Sequence, residues 1–443
     1  MIAGNLTRDT AVEIAAAISF GICRDAIWSD ECCTWLEPIA VTPPHNPAVS
    51  ATCSPNVYGG TAGIGWVLAQ AAAKTSDVLI MRTARAALRQ TAARSRTLLT
   101  TVPHGFYGGA AGAAAALILA GKTIEDEQAI ADGLALLLSI PPGTNDPLEM
   151  DLVSGLAGTV LALTVAGAAL DKDDTLLARA GNAAETLVDC GERGQGETLS
   201  WKTMPNCAVN LLGFAHGTSG IAHALLTLSA VTREDRWKAA ALDAIAYESA
   251  AFNPARGLWP DFRSLPNDRL DEPAFPVAWC HGAAGIVRCR LTAAASNINV
   301  DEDLEVGIAA VVEQSERVLH LPGADVTLCH GLLGLTDALI DCAHIAHVDH
   351  SDSIIESASL VASVFDDELP WPSGLPSREP AHGLMLGDAG IAHVFLRLAD
   401  PTRESVLAPG TSLVADHDNK PRLEPGRRVD TAWGSPGAKG RRA

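Results

Sequence analysis

The sequence predicts an all-α fold, a two-layered (α/α)7 barrel or toroid, and three observations carry that prediction. A Gly-x-x-Gly signature recurs seven times, and each copy opens an apolar, Ala-rich run. Between the copies lie stretches with charges on one face and apolar residues three and four apart, the pattern of an amphipathic helix. Apolar residues make up 48% of the 443 but aromatics only 5%, so the core is built from small aliphatic side chains that suit closely packed helices. Length alone suggests about three domains; a repeat architecture replaces that count with one closed unit.

The elements follow in order. Residues 10–24 form the first amphipathic segment, and the others span 76–97, 123–138, 173–188, 233–249, 301–319 and 351–365. They alternate with signatures beginning at Gly60 (GTAG), Gly109 (GAAG), Gly155 (GLAG), Gly217 (GTSG), Gly282 (GAAG), Gly331 (GLLG) and Gly387 (GDAG). First-glycine spacings of 49, 46, 62, 65, 49 and 56 residues suit a repeated helical hairpin with variable loops. An inner helix touched on several sides can be apolar nearly all round, whereas an outer one faces water and must be amphipathic. Glycines, lacking Cβ, let the chain turn sharply and let helix starts crowd around one axis. Seven equivalent turns should therefore rim one mouth of the barrel.

The barrel is expected over residues 1–414, and residues 415–443, rich in Pro, Gly and Arg, as a disordered tail. Net charge is −20; the tail carries seven basic residues against four acidic, which leaves about −23 on the body. Such a surface repels phosphate backbones, so nucleic acid is excluded as a partner. Residues 152–170 run nineteen positions without a charge, but they are rich in Ala, Gly and Thr and are one of several similar elements. They read as a buried helix, and no transmembrane segment is expected. The N-terminus lacks a basic start followed by an apolar run, so the chain is expected in the cytoplasm. Its ten cysteines then act as packing residues, metal ligands or nucleophiles, without a disulfide framework.

Equivalent turns can be compared position by position. One residue before the first glycine stand Gly59, Gly108, Ser154, His216, His281, His330 and Leu386; two before it stand Tyr58, Tyr107, Val153, Ala215, Cys280, Cys329 and Met385. Ligand-type residues thus gather in copies four, five and six, neighbours around the ring. Trp279-Cys280-His281-Gly282 and Leu328-Cys329-His330-Gly331 would present two thiols and two imidazoles from adjacent helix starts, a constellation suited to Zn2+. The alternative is that Cys280 and Cys329 are simply buried, as Cys23, Cys53, Cys207, Cys289 and Cys342 are expected to be. His216, with an unperturbed pKa near neutrality and a turn beside the proposed metal turns, suits proton transfer.

On these residues the chain resembles the lanthionine synthetase cyclase family, the LanC-like proteins, whose zinc ligands lie in a Trp-Cys-x-Gly and a Cys-His-Gly motif. The resemblance spans residues 57–409 and includes the closing segment GLMLGDAGIAHVFLRL at 383–398. It implies Cys280, Cys329 and His330 as zinc ligands and His281 as an active-site neighbour. The matches Ala215-His216-Gly217 and Asp151, four before Gly155, imply proton-transfer roles for His216 and Asp151; a plain helix cap is the other reading of Asp151.

The implied reaction is Michael addition of a peptide cysteine to a dehydroalanine or dehydrobutyrine of the same dehydrated precursor peptide, closing a thioether ring. Pro276 departs from the family pattern, where many members carry Arg, so enolate stabilisation must come from another group, His281 among them. Nothing in the chain resembles the kinase, lyase or dehydratase regions fused to some members, so a separate dehydratase is the expected partner. Rival readings are addition of glutathione or another small thiol to dehydroamino acids, and a non-catalytic peptide-binding partner of a dehydratase. A helical-barrel glycosidase or terpene cyclase ranks last, because the turns carry no paired carboxylates and no aspartate-rich motif.

Overall fold

In a computed structural model of the chain, seven inner helices stand around one axis, each starting at a Gly-x-x-Gly turn. The structure describes residues 6–39, 49–144, 146, 148–205, 207–263, 273–363, 371–372 and 381–415. In chain order the helices begin with α1 (Arg8–Arg24), α2 (Thr61–Thr75), α3 (Val78–Arg94), the short α4 (Arg96–Thr101), α5 (Ala110–Ile124) and α6 (Glu127–Ser139). Next come α7 (Leu156–Ala169), α8 (Asp174–Asp189), α9 (Thr218–Thr232), α10 (Asp235–Ala250), α11 (Ala283–Ala295) and α12 (Asp301–Leu319). The series ends with α13 (Leu332–Ile345), α14 (Ser351–Ser363), α15 (Asp388–Ala399) and the single turn α16 (Thr411–Val414). The inner ring runs α2, α5, α7, α9, α11, α13, α15 and back to α2, and each inner helix packs on the outer helix that follows it. Helix α15 pairs instead with α1, so the first amphipathic segment closes the outer layer.

Inner and outer helices differ as their sequences require. In α7 every residue from Leu156 to Gly167 is buried, so the uncharged run is a barrel stave. Among the described residues no helix is long and apolar enough to cross a membrane. The outer α8 buries only Leu176, Ala180, Ala183, Ala184 and Leu187, one stripe at helical spacing, and Asp173 caps its start by accepting from Thr175 N and Leu176 N at 2.9 and 3.0 Å.

At three inner-to-outer junctions a single left-handed residue stops one helix and the next residue flanks the other: Ser76-Asp77, Glu125-Asp126 and Arg233-Glu234. These tight links correct the sequence boundaries, since residues 123 and 124 belong to the inner α5 and not to the amphipathic segment that follows. The segment 351–365 is helical as α14; its last two positions, and the tail from 416 onward, lie outside the described residues.

Among the described residues three small antiparallel ribbons decorate the helices: β1 (Ile27–Ser29) with β2 (Cys32–Thr34), β3 (Leu36–Ile39) with β4 (Val49–Thr52), and β5 (Glu192–Arg193) with β6 (Leu199–Ser200). The all-α reading did not include them.

The seven turns are joined by a closed ring of backbone hydrogen bonds at the position two before each first glycine. Tyr58 N donates to Tyr107 O (2.8 Å), Gly108 N to Val153 O (2.8 Å), Val153 N to Ala215 O (3.3 Å) and Ala215 N to Cys280 O (3.1 Å). Cys280 N donates to Cys329 O (3.4 Å), Cys329 N to Met385 O (3.0 Å) and Met385 N back to Tyr58 O (2.8 Å). Such spacing needs glycine, because a Cβ on the second glycine would meet the carbonyl oxygen six residues earlier, at 2.2 Å for Gly285 and 2.1 Å for Gly334.

Two features of the interior depart from an apolar bore. Residues 405–411 are buried inside the ring beneath the turns: Tyr107 Oη donates to Val406 O (2.9 Å) and Trp279 Nε1 to Leu407 O (2.9 Å), while His223 Nε2 bonds Pro409 O (2.9 Å). The inner helices also bury charges. Arg288 and Arg397 bracket Asp337 and Asp341 in one cluster with Ser405, and Arg290 joins Glu248 and Asp303 in another. Each carboxylate is met by guanidinium, the condition under which buried ions persist.

Candidate metal centre and active site

The backbone ring decides which side chains meet at the mouth. Cys280 and Cys329 issue from adjacent turns, so their thiols are neighbours within hydrogen-bonding reach of one another. The bond from Cys329 pulls the Cys280 thiol down to about 7 against the opposing effect of burial, with help from His330 and Arg263. The same bond, together with burial, pushes Cys329 up. A third group approaches from two turns further round the ring: the Tyr58 hydroxyl donates to Cys329 Sγ at 3.2 Å.

His330 follows Cys329, and its Nδ1 is hydrogen-bonded to the Asp325 carboxylate, which raises its pKa. Asp325 is in turn fixed by accepting from Thr327 N at 2.7 Å. With Nδ1 engaged, Nε2 is the nitrogen left for a ligand.

The neighbouring turns carry the proton-transfer candidates. His216 Nδ1 and Asp151 Oδ2 are 2.5 Å apart, and the other oxygen of Asp151 accepts from Ser154 N at 2.7 Å. One oxygen of Asp151 thus braces its own turn, ahead of the helix N-cap Gly155, and the other holds the histidine, so Asp151 is not a helix cap. With the carboxylate on Nδ1, Nε2 is the nitrogen of His216 left outside that bond. The turn is braced from the outer layer, where Glu248 of α10 accepts from Gly213 N at 2.7 Å and from Thr218 Oγ1 at 3.3 Å.

The His216 ring stacks on His281 with centroids 5.6 Å apart and planes 25° from parallel. Burial, and then the positive charge of Arg263, hold His281 down to about 3 against the pull of Asp261, so it is neutral at pH 7. Arg263 is oriented by Asp261, donating from Nη2 at 2.6 Å and from Nε at 2.9 Å. The segment reaches the mouth through a bridge from Asp261 to Ala274, followed by one from Val277 to Gly282.

All six residues singled out in the sequence thus lie on the rim turns of copies three to six. Among the described residues, however, no three His, Cys, Asp or Glu side chains form a metal-holding group. The donors are instead satisfied by one another, Cys280 by Cys329 and His330 by Asp325. Sequence reasoning missed Tyr58, Asp325, Arg263 and Glu248. Tyr58 had a visible signal in its position two before Gly60, while Arg263 and Asp325 sit in loops between repeats and belong to no motif. All ten cysteines are free, and Cys23, Cys53, Cys207, Cys289 and Cys342 are buried as expected. A cavity of about 320 Å3 is lined by Asp341, His344, Arg397, Arg403 and Glu404, none of them a rim residue, so it belongs to a different part of the molecule.

Comparison with known proteins bears on the whole ring. The family described as "Lanthionine synthetase C-like protein" matches residues 52–411. No curated protein matches the chain. Among solved structures, nisin cyclase superposes with a TM-score of 0.56 at 17% identity, covering 82% of this chain and 92% of that one. A GH76 alpha-mannanase from Bacteroides thetaiotaomicron follows at a TM-score of 0.47 and 10% identity, covering 89% and 96%. An unsaturated glucuronyl hydrolase from Bacillus sp. GL1 gives 0.38 at 13% identity, covering 88% and 97%. The nisin cyclase likeness shows the helical toroid fold. With the family matched over most of its length, from before the first glycine turn to beyond the last inner helix, the chain belongs to the lanthionine synthetase C-like family.

Proposed function

We propose that the protein closes thioether rings in a dehydrated precursor peptide, by intramolecular addition of a cysteine thiol to a dehydroalanine or dehydrobutyrine. The observation that carries this reading is the placing of two thiols and two carboxylate-held imidazoles on neighbouring turns of one mouth. In the reaction the sulfur bonds to the β-carbon, the alkene electron pair passes into an enolate, the thiol proton leaves, and a proton is delivered to the α-carbon. Peptide mass is unchanged.

Donor chemistry fits a zinc ion held by Cys280, Cys329 and His330, since thiolate and imidazole are its preferred ligands and Asp325 backs His330 as carboxylates back zinc-bound histidines. When bound, zinc would supply Lewis acidity that favours the thiolate form of the substrate cysteine. His216 delivers the proton from Nε2, oriented by Asp151 through Nδ1. His281, being neutral, offers at most a hydrogen bond to the enolate oxygen. The cation beside it is Arg263, which we assign to enolate stabilisation in the place where Pro276 leaves no guanidinium. The dehydroamino acids come from a separate dehydratase.

Metal analysis tests the ligand assignment. The purified protein is expected to hold one zinc per chain, and Cys280→Ala or Cys329→Ala is expected to lose it, with a fall in ring closure of about 1000-fold or more, while helix content is retained. Full zinc and full activity in both variants would refute the proposal. Incubation with glutathione separates the small-thiol reading, because glutathione addition raises the peptide mass.

A further inference from the structure

We infer that Tyr58 is a positioning residue for the metal centre, setting the orientation and donor strength of the Cys329 sulfur from two turns away around the mouth. The inference rests on the zinc reading above and adds a residue that neither the motifs nor the family match assigns. Tyr58 and Cys329 are separated by 271 positions in sequence, and the turn of Met385 stands between them in the ring. The tyrosine is nevertheless fixed at both backbone ends, donating from N to Tyr107 O and accepting at O from Met385 N, each at 2.8 Å. Its ring is mostly buried, and its hydroxyl ends 3.2 Å from Sγ, within hydrogen-bond reach of a sulfur acceptor.

The repeat supplies an internal control. Tyr107 occupies the same position in the next copy, but its hydroxyl donates at 2.9 Å to the carbonyl of Val406 in the segment buried inside the ring. Two equivalent tyrosines therefore hold different things: one a thiol at the mouth, the other the backbone below it. A hydrogen bond donated to a ligating thiolate withdraws electron density from sulfur and fixes its rotamer, the kind of support whose loss costs about 10–100-fold in metal affinity.

The test uses the full chain loaded with Co2+ in place of zinc. In Tyr58→Phe the thiolate-to-cobalt charge-transfer band should move to longer wavelength, because the sulfur lone pair is no longer stabilised, and chelator competition should show zinc held about 10-fold more weakly. In Tyr107→Phe the band and the affinity should stay at wild-type values while the melting temperature falls. An unmoved band and unchanged affinity in Tyr58→Phe would overturn the assignment, as would equal shifts in both variants, which would mark a packing effect. Circular dichroism checks that each variant is folded. A wild-type protein that takes up no cobalt or zinc refutes the metal reading itself, and the role of Tyr58 with it; uptake with an unmoved band refutes the role of Tyr58 alone.

Discussion

The mouth and the bore of this barrel use the same residue types for opposite ends. At the mouth, His216 and His330 are each held at one nitrogen by one carboxylate and keep the other nitrogen uncommitted, with side chains 26% and 41% exposed. In the bore, Arg288 and Arg397 each pair with both Asp337 and Asp341, with side-chain exposure of 10% or less. His223 there is bonded at both nitrogens, to Thr292 Oγ1 and Pro409 O. A group with every valence filled can hold the structure together but has nothing left to offer a substrate. Half-satisfied groups at an opening can bind or move a proton, and their charged partners show which nitrogen is free.

That contrast can be broken deliberately. The largest effect is expected in the bore, where Asp337→Ala leaves two buried guanidinium groups with Asp341 as their one remaining carboxylate and should cost about 3–5 kcal/mol of stability, read as a shift in the denaturation midpoint. A midpoint within about 0.5 kcal/mol of wild type would mean the cluster is not integral to the fold. At the mouth, His216→Gln should leave folding and zinc content in place but slow ring closure by at least about 100-fold. Loss of zinc in that variant would move His216 into the ligand set. Asp151→Asn removes only the carboxylate behind the imidazole, and a smaller loss of about 10-fold is expected, matching about 1.5 kcal/mol for a charge-assisted hydrogen bond. An effect as large as that of His216→Gln would make Asp151 a proton donor in its own right.

A gentler test is pH. Burial holds His223 down to about 4 and His393 down to about 3, so the folded state keeps both neutral where the unfolded chain takes up protons. Their folded values lie below the unfolded value of about 6.5. Stability is therefore full above that pH and falls as pH drops toward the folded values, by up to about 1.4 kcal/mol per pH unit for each histidine. His330, raised by Asp325, acts with the opposite sign. Melting curves between pH 7 and pH 4 should slope downward on the acid side, and Tm values flat over that range would contradict the assignment of these histidines as buried and neutral.

Most of the fold was legible because its constraints are local and repeated. Each glycine pair answers to a backbone contact such as that of Gly334 with Leu328 O, so all seven signatures survive in the sequence and mark helix starts to the residue. The site was legible by the same route, since equivalence of the turns lines up Cys280, Cys329, His216 and His330 without any structure. What stayed hidden depends on contacts across the ring or between loops. Nothing near Tyr58 announces Cys329, and Arg263 reaches His281 from a loop that follows no repeat. Buried charges on α11, α13 and α15 contradict the expectation of apolar staves, because Arg288 is tolerated only where Asp337 and Asp341 arrive from the next helix. Residues 405–411 belong to no repeat, and nothing in their sequence marks them as the segment that packs inside the ring.

The central claim is that this mouth joins a thiol to an alkene within one peptide. Its most direct test presents the purified, zinc-loaded protein with a dehydrated precursor peptide and follows alkylatable thiol by mass spectrometry. The account predicts that alkylatable thiol disappears while the mass of the unalkylated peptide stays constant, and that Cys329→Ala abolishes the change. A peptide whose thiols remain fully alkylatable after incubation with the zinc-loaded protein would contradict it.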